Sequence, residues 1–412
     1  MTKYKSEALQ YLSDRGYIYQ NTDEANLDNL LANKEIDFYA GFDLTANSLH
    51  VGSLLPIMVM RILQSYGHTP IILLGSATTK IGDPSGKDQT RKMLTPELIE
   101  ENKQGIKKVF SKFLNLDRCE IVDNDDWLND YSYLEFLRDV GSQFSVNQML
   151  RYESVKQRLD REQNLSFLEF NYMILQAYDF AVLRKKYDCY LQIGGSDQWG
   201  NIVNGVELNR KINPGVGEVY GMTTPLLVDS NGKKMGKTES GAVWLDEDLL
   251  SAYDYYQFFR NIPDDKVSEF LRFFTELDLA EVTKLEKLEG QEINAAKEIL
   301  AFEATKICHG EDAAENAKNT ASQVFEAGGI GEDLPVYELA DGEEIAVSNA
   351  AVAVGLLQSG GEAKRIIKGG GGKIDGESIQ DPFLKITVAD LAGKEHVKVS
   401  FGKKKHMLIK AS

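Results

Sequence analysis

Three consecutive segments within residues 36–75 constrain the fold of this chain more than anything else in it. Ile36 to Gly41 is a short extended apolar run, Gly52 to Tyr66 carries apolar residues at helical spacing (Leu54, Leu55, Ile57, Met58, Ile62), and Pro70 to Leu74 is a second short apolar run. A strand, a helix and a strand in that order bury the helix's apolar stripe by laying it across two parallel strands. The expected class is therefore α/β, with a doubly wound parallel sheet. Further strands are expected at Tyr187 to Ile193 and Thr223 to Val228, each running into a glycine-rich or turn-rich segment. Ligands of such sheets gather where strands end and helix N-termini point inward, because free N–H groups and the helix dipole favour an anion there.

The 412 residues allow roughly two to three domains. After about Asp246 the strand signals fade, and Tyr253 to Phe274, Ala280 to Leu288 and Ile293 to Val324 read as helices. Glu326 to Ala346 is acidic, with glycines and a proline, and reads as a linker. Beyond it Glu362 to Lys368 is a basic helical turn ending in four glycines, Gly369 to Gly372. Short strands follow around Lys373–Ile374, Phe383–Val388 and His396–Phe401. The expected division is 1–245, α/β; 246–325, a small all-helical domain; 326–345, linker; and 346–412, a small α+β unit.

Met1 to Gln20 reads as a helix of the folded protein, with no signal-peptide core. No apolar run reaches the roughly 20 residues of a membrane span. Cys119, Cys189 and Cys308 lie far apart, which argues against a disulfide framework or a cysteine zinc site and fits a reducing cytoplasm. The net charge of −17 is uneven: Gly361 to Ser412 holds 11 Lys/Arg against 6 Asp/Glu. A basic tail on an acidic body can contact nucleic-acid phosphates, since neutralisation is local. A solubilising lysine surface is the alternative.

Five segments carry chemistry. His50, in Ser48-Leu49-His50-Val51-Gly52-Ser53, sits where the first strand gives way to the helix, and with Thr45 it can donate to phosphate oxygens. Alone, His50 reads as a satisfied helix cap. Gly82-Asp83-Pro84-Ser85-Gly86-Lys87, followed by Arg91, is either a loop that closes on a polyphosphate or a surface turn; it lacks the full P-loop spacing. Tyr172, Gln176 and Asp179 share one face of a helix that is apolar nearly all round and should be buried. Their polar stripe then needs a ligand or a neighbouring element, since an unpaired buried polar group costs roughly 1–3 kcal/mol. Gly194-Gly195-Ser196-Asp197-Gln198 ends a strand and places Asp197 to accept from ribose hydroxyls. Lys234 and Lys237, ordinary surface charges alone, form a pyrophosphate clamp when joined to His50 and Lys87. No metal-ligand cluster or nucleophilic serine or cysteine accompanies them, which points to nucleotidyl transfer by charge stabilisation.

With these segments in this order, the chain resembles the bacterial-type tyrosyl-tRNA synthetases, class I aminoacyl-tRNA synthetases, over essentially its whole length. His50-Val51-Gly52-Ser53 is similar to the HIGH signature and Lys234-Met235-Gly236-Lys237-Thr238 to the KMSKS loop. Tyr39-Ala40-Gly41-Phe42-Asp43, Gly82 to Lys87, the Tyr172/Gln176/Asp179 helix and Gly195 to Gln198 match as well. The resemblance implies a Rossmann-like catalytic domain, a helical anticodon-side domain and an RNA-binding unit like a ribosomal small-subunit protein. It implies that Tyr39 and Asp179 bind the phenol hydroxyl of L-tyrosine. Asp83, Tyr172 and Gln176 would hold its ammonium group, with Gln198 near the carboxylate and Asn124 supporting the pocket. Gly41, Asp43, His50, Gly52, Gly195, Asp197 and Lys237 would bind ATP. Thr45, His50, Lys87, Arg91, Lys234, Lys237 and Thr238 would stabilise the phosphates as pyrophosphate leaves.

The implied reaction needs no general base: the ionised carboxylate of tyrosine attacks the α-phosphate of MgATP, and a terminal ribose hydroxyl of tRNA(Tyr) then attacks the adenylate. No tightly bound cofactor is implied beyond the Mg2+ that enters with ATP. A cytoplasmic homodimer is implied, with Ile121 to Leu150 contributing to its interface. Ser53 departs from the second histidine of HIGH, Ala40 lacks a polar side chain some relatives carry, and Gly236 replaces the first serine of KMSKS. The nearest alternative is a tryptophanyl-tRNA synthetase, against which Asp179 opposite Tyr39 favours a phenol. The other is a non-catalytic RNA-binding paralogue, which would need none of His50, Lys87, Lys234 and Lys237.

Overall fold

The computed structural model describes residues 3–84, 94–228, 234–238, 241–326, 334–340, 342–391, 393–394, 396–402 and 405–411, with backbone only at 153, 154, 157, 237, 238 and 324–326. Two compact units divide the chain, Met1–Gly310 and Glu311–Ser412.

The first unit is built on a six-stranded sheet. Its strands are β1 (Gln20–Asn21), β2 (Asp37–Asp43), β3 (Thr69–Gly75), β4 (Glu120–Asp123), β5 (Cys189–Gly195) and β6 (Tyr220–Thr224), in the order β1-β6-β5-β2-β3-β4. Every neighbouring pair from β6 to β4 is parallel, and only β1 runs antiparallel. The chain winds from β2 through β3 to β4 on one side and from β5 to β6 on the other. Strand order therefore reverses between β2 and β5, and a crevice opens at their C-terminal ends. Pro70 to Gly75 of β3 is buried throughout, as expected of a parallel strand covered on both faces. The helix Leu54–Ser65 crosses from β2 to β3 with nine of its residues buried.

Several expected boundaries move for identifiable reasons. The strand expected at Thr223 to Val228 is β6, Tyr220–Thr224; Pro225 has no N–H to continue the ladder. Tyr187, expected in a strand, ends the helix Phe167–Tyr187, and Asp188 in the left-handed region (φ 52) turns the chain into β5. The first turn of that helix departs from the burial its composition predicts: Phe167 is 69% and Leu168 45% exposed. Of Met1 to Gln20, Glu7–Asp14 is helical, capped by the Ser6 hydroxyl. The run Tyr253 to Phe274 breaks near Pro263 into Ala252–Arg260 and Val267–Phe274, and Ile293 to Val324 breaks at Gly310 (φ 89).

Residues 246–310 belong to the same compact unit as the sheet. The reason lies at the N-terminus. The buried Arg15 guanidinium donates to the carbonyls of Arg272, Thr275 and Leu277, and the Tyr17 hydroxyl to that of Phe273. Among the described residues no helix is long and apolar enough to cross a membrane.

The second unit opens with the helix Glu311–Glu326. Its five-stranded sheet runs in the order Glu377–Ser378, Gly372–Ile374, His396–Phe401, Lys405–Ala411, Val336–Leu339. The helices Val347–Ala353 and Gly360–Lys368 share its core with Val399, Phe401, Met407 and Ile409. Part of the stretch expected as a linker, 326–345, is thus structural: Val336–Leu339 pairs in parallel with Lys405–Ala411. Its acidic character hid a strand alternation, with Leu339 buried and Glu338 turned outward to Lys410 at 2.9 Å. Of Phe383 to Val388, Lys385–Thr387 is a strand, paired with Glu344–Ala346.

Candidate active site

A cleft of about 900 Å³ lies at the strand-order reversal between β2 and β5, near the upper end of the volumes usual for small-molecule sites, about 300–1,000 Å³. β2 and the segment after it contribute Tyr39, Gly41, Asp43, Thr45, His50, Gly52 and Ser53 to the lining. Asp83 and Asn124 follow, then Tyr172, Gln176 and Asp179 from the helix Phe167–Tyr187. Gly195, Asp197 and Gln198 line it from the end of β5, and Lys234 from the loop beyond β6. Lys87 and Arg91 lie outside the described residues, as do the side chains of Lys237 and Thr238.

The deep end holds a polar network around a buried acid. Asp179 is 2% exposed; Trp127 Nε1 donates to its Oδ1 at 2.8 Å and Asn124 Nδ2 to its Oδ2 at 3.1 Å. Burial pushes its carboxyl up to about 7, against the pull of those two hydrogen bonds. Tyr39 is fully buried, its hydroxyl has no partner among the described residues, and burial together with the nearby Asp179 charge holds its phenol well above the ordinary range. Asn124 also donates to Thr78 Oγ1 (3.0 Å) and accepts from the Ala77 N–H (2.9 Å), which fixes its amide. The Thr78 and Tyr172 hydroxyls both donate to Asp43 Oδ1, at 3.0 and 3.1 Å. Tyr172 and Asp43, expected on different substrates, are thus joined directly.

A second set orients amides at the side of the cleft. Asn201 Nδ2 donates to Gln176 Oε1 (3.0 Å) and Gln198 Oε1 (3.1 Å), and Gln198 Nε2 donates to Asp83 Oδ2 (2.8 Å). Asp43 and Asp83 line the same cleft as these amides.

The mouth brings the two signatures into contact across 184 positions of sequence. The Gly52 N–H donates to His50 Nδ1 at 3.0 Å, so the neutral ring carries its proton on Nε2. His50 is therefore the cap that its position alone suggests, and it lines the cleft as well. A Cβ at Gly52 would sit 2.7 Å from His50 Cε1, so any larger residue there would force the imidazole to move. Gly236, at φ 112, lies so close that its own Cβ would meet the Gly52 nitrogen at 2.9 Å. Val51 N–H donates to Val243 O, Leu245 N–H to Leu49 O and Val243 N–H to Gly236 O, each at 2.9 Å. Lys234 Nζ rests 2.7 Å from Asp197 Oδ2.

Residues 31–326 match the family described as tRNA synthetases class I (W and Y). The chain belongs to this family. A tyrosine–tRNA ligase from Novosphingobium aromaticivorans is 53% identical to this synthetase over 414 residues, covering all of both chains. One from Wolbachia sp. subsp. Brugia malayi is 53% identical over 420 residues, also covering all of both. Among solved structures, a C-terminally truncated mitochondrial tyrosyl-tRNA synthetase from Aspergillus nidulans superposes with a TM-score of 0.68 at 32% identity, covering 77% of this chain and 94% of that one.

Three residues of the synthetase's cleft networks escape a reading of the sequence. Trp127 and Thr78 hold Asp179 and Asp43 from elements at the ends of β4 and β3, and Asn201 links Gln176 to Gln198. Only Asn201 had a local signal, three residues beyond Gln198 on the following helix.

Proposed function

We propose that this synthetase is a tyrosine–tRNA ligase, which activates L-tyrosine with ATP to tyrosyl-adenylate and pyrophosphate and then transfers tyrosine to the 3′ end of tRNA(Tyr). The observation that carries the choice of amino acid is the Tyr39 hydroxyl, without a partner among the described residues, beside the buried Asp179 carboxyl. A phenol hydroxyl answers both, donating to Asp179 while accepting from Tyr39. An indole N–H only donates and leaves Tyr39 without an acceptor from the ligand. The acidic and amide groups of Asp43, Tyr172, Gln176 and Asp83 suit the ammonium group. The amino acid's carboxylate then points along the cleft toward Gln198 and His50.

The carboxylate is ionised at neutral pH, so the protein's task is alignment and charge stabilisation at the α-phosphate. His50 Nε2–H, Thr45 and the helix N-terminus beyond Gly52 offer donors to the phosphates of MgATP. Lys87, Arg91, Lys237 and Thr238 are assigned the same task. Asp197 is assigned the ribose, with Gly41 and Gly195 leaving room for the nucleoside. Ribose hydroxyls on Asp197 would release Lys234 toward the pyrophosphate, an exchange of partners at one carboxylate.

Two further partners follow. In the second unit Lys364, Arg365, Lys368 and Lys373 form no ion pair among the described residues, whereas Lys385, Lys394, Lys405 and Lys410 each face an acid. Lys364 Nζ lies 4.4 Å from the ring centre of the exposed Phe383. Cations around an exposed ring support RNA contact there. The exposed apolar side chains of Tyr133, Leu134, Val146 and Phe167 support a homodimer. The free cysteines fit the cytoplasm.

Pyrophosphate exchange into ATP, run with each of the twenty amino acids, tests the reading. Exchange with tyrosine is expected. Exchange with tryptophan instead would sink the assignment, and no exchange with any would favour the RNA-binding paralogue.

A further inference from the structure

Leu245 ties the second signature to the first, and what holds Leu245 lies outside the cleft. This fully buried residue donates its N–H to Leu49 O at 2.9 Å. Its carbonyl accepts from Lys112 Nζ at 3.2 Å and from the Cys308 thiol at 3.5 Å. The next three residues are acids. Lys108 Nζ lies 2.8 Å from Asp246 Oδ1 and 2.7 Å from Asp248 Oδ2, and Lys112 pairs with Glu247. Lys108 and Lys112 stand one turn apart on the helix Pro96–Phe113. His309, ending the helix Ile293–His309, brings Nδ1 to 3.8 Å from Glu247 and packs edge-on against Tyr255. The side chains of Lys112 and Asp246 are 14% and 8% exposed, whereas Lys108, Glu247 and Asp248 are 43%, 48% and 77% exposed, so salt screens the contacts of Lys112 and Asp246 less than those of the outer pair Lys108–Asp248.

We propose that Lys108 and Lys112, clasped on Asp246 to Asp248, are positioning residues for amino-acid activation: they fix the Leu245 peptide and so the distance between the Lys234–Lys237 loop and His50. The proposal rests on the reading above, in which that loop and His50 stabilise the departing pyrophosphate. Lys108 and Lys112 do not line the cleft; they act through the Val243–Leu245 segment. The tyrosine pocket is built from β2 and the helix Phe167–Tyr187, so loosening the clasp leaves tyrosine binding in place and moves only the phosphate side.

The test is tyrosine-dependent pyrophosphate exchange by the full-length protein and its Lys112→Met, Lys108→Met and Lys112→Arg variants, with active sites titrated by adenylate formation. Both Met variants are expected to lose about tenfold or more in kcat per active site, the scale of a sub-ångström to 1 Å misplacement. Their KM for tyrosine should stay within about twofold, and Lys112→Arg should recover most of the rate, since a guanidinium can bridge the same acceptors. Met variants that match the wild type per active site overturn the clasp, as does a loss that appears equally in KM for tyrosine. If Lys112→Met does not fold, the more exposed Lys108→Met decides by the same criteria. A wild type without tyrosine-dependent exchange overturns the functional reading, and the clasp's role with it; wild-type exchange with unchanged variants overturns the clasp alone.

Discussion

Asp179→Asn separates the cost of the buried acid from its use. The wild-type carboxyl is raised from 3.8 to about 7 by burial. Between those values the folded protein keeps a proton that the unfolded chain has released. Stability from this group is therefore full below about pH 4 and is lost as pH rises through 7. About three pKa units at 1.36 kcal/mol each make that loss about 4 kcal/mol. Asparagine has no such proton, so the pH-dependent term vanishes. It also has a single oxygen, so either Trp127 Nε1 or Asn124 Nδ2 is left without its acceptor, a pH-independent cost of about 1–3 kcal/mol. The two effects separate in urea unfolding of both proteins from pH 4.5 to 8. All three tryptophans, Trp127, Trp199 and Trp244, lie in the first unit, so their fluorescence follows its unfolding. The wild type should lose stability relative to the variant as pH rises, with the variant weaker at pH 4.5 and level or stronger at pH 8. Parallel pH profiles would refute the raised carboxyl of the buried acid. In the exchange assay the variant loses a charged acceptor for the phenol, and activity at low tyrosine should fall about 10–100-fold.

Tyr39→Phe removes a buried hydroxyl that has no partner among the described residues. The ligand-free protein should gain about 1 kcal/mol in urea unfolding, while exchange with tyrosine falls and exchange with phenylalanine rises; an unchanged ratio between the two amino acids would remove Tyr39 from the phenol site. Gly236→Ala places a Cβ against the Gly52 nitrogen at a φ that L residues resist, a strain of about 1–3 kcal/mol. Exchange should drop with little change in tyrosine binding measured by fluorescence titration, and a fully active variant would show that the contact between the signatures is dispensable. A chain ending after Glu326 should keep pyrophosphate exchange and lose tRNA charging; retention of charging would clear residues 327–412 of a role in RNA binding.

What could be read along the chain followed local periodicity. The helix Leu54–Ser65 and the strands β2 and β3 were legible because helical apolar spacing over a long segment contrasts with two short apolar runs bounded by glycine and proline. Tyr172, Gln176 and Asp179 were legible as one helix face because 3.6 residues per turn is a property of the backbone. The strand Val336–Leu339 was not, since its partner Lys405–Ala411 lies some seventy positions away and its acids resemble a linker. Nor was the joining of residues 246–310 to the sheet's unit, to which Arg15 and Tyr17 contribute by reaching carbonyls more than 250 positions distant.

By itself the sequence determined the parallel α/β class, the two signatures and the residue types that phosphate and phenol chemistry require. Spacing and composition are enough for those. The tertiary structure decided which of these residues meet: Gly236 against Gly52, Lys234 on Asp197, Trp127 and Asn124 on Asp179, and the Lys108/Lys112 clasp behind Leu245. Those contacts depend on strand order in the sheet and on which buried polar groups find partners, and both are settled only when distant segments pack together.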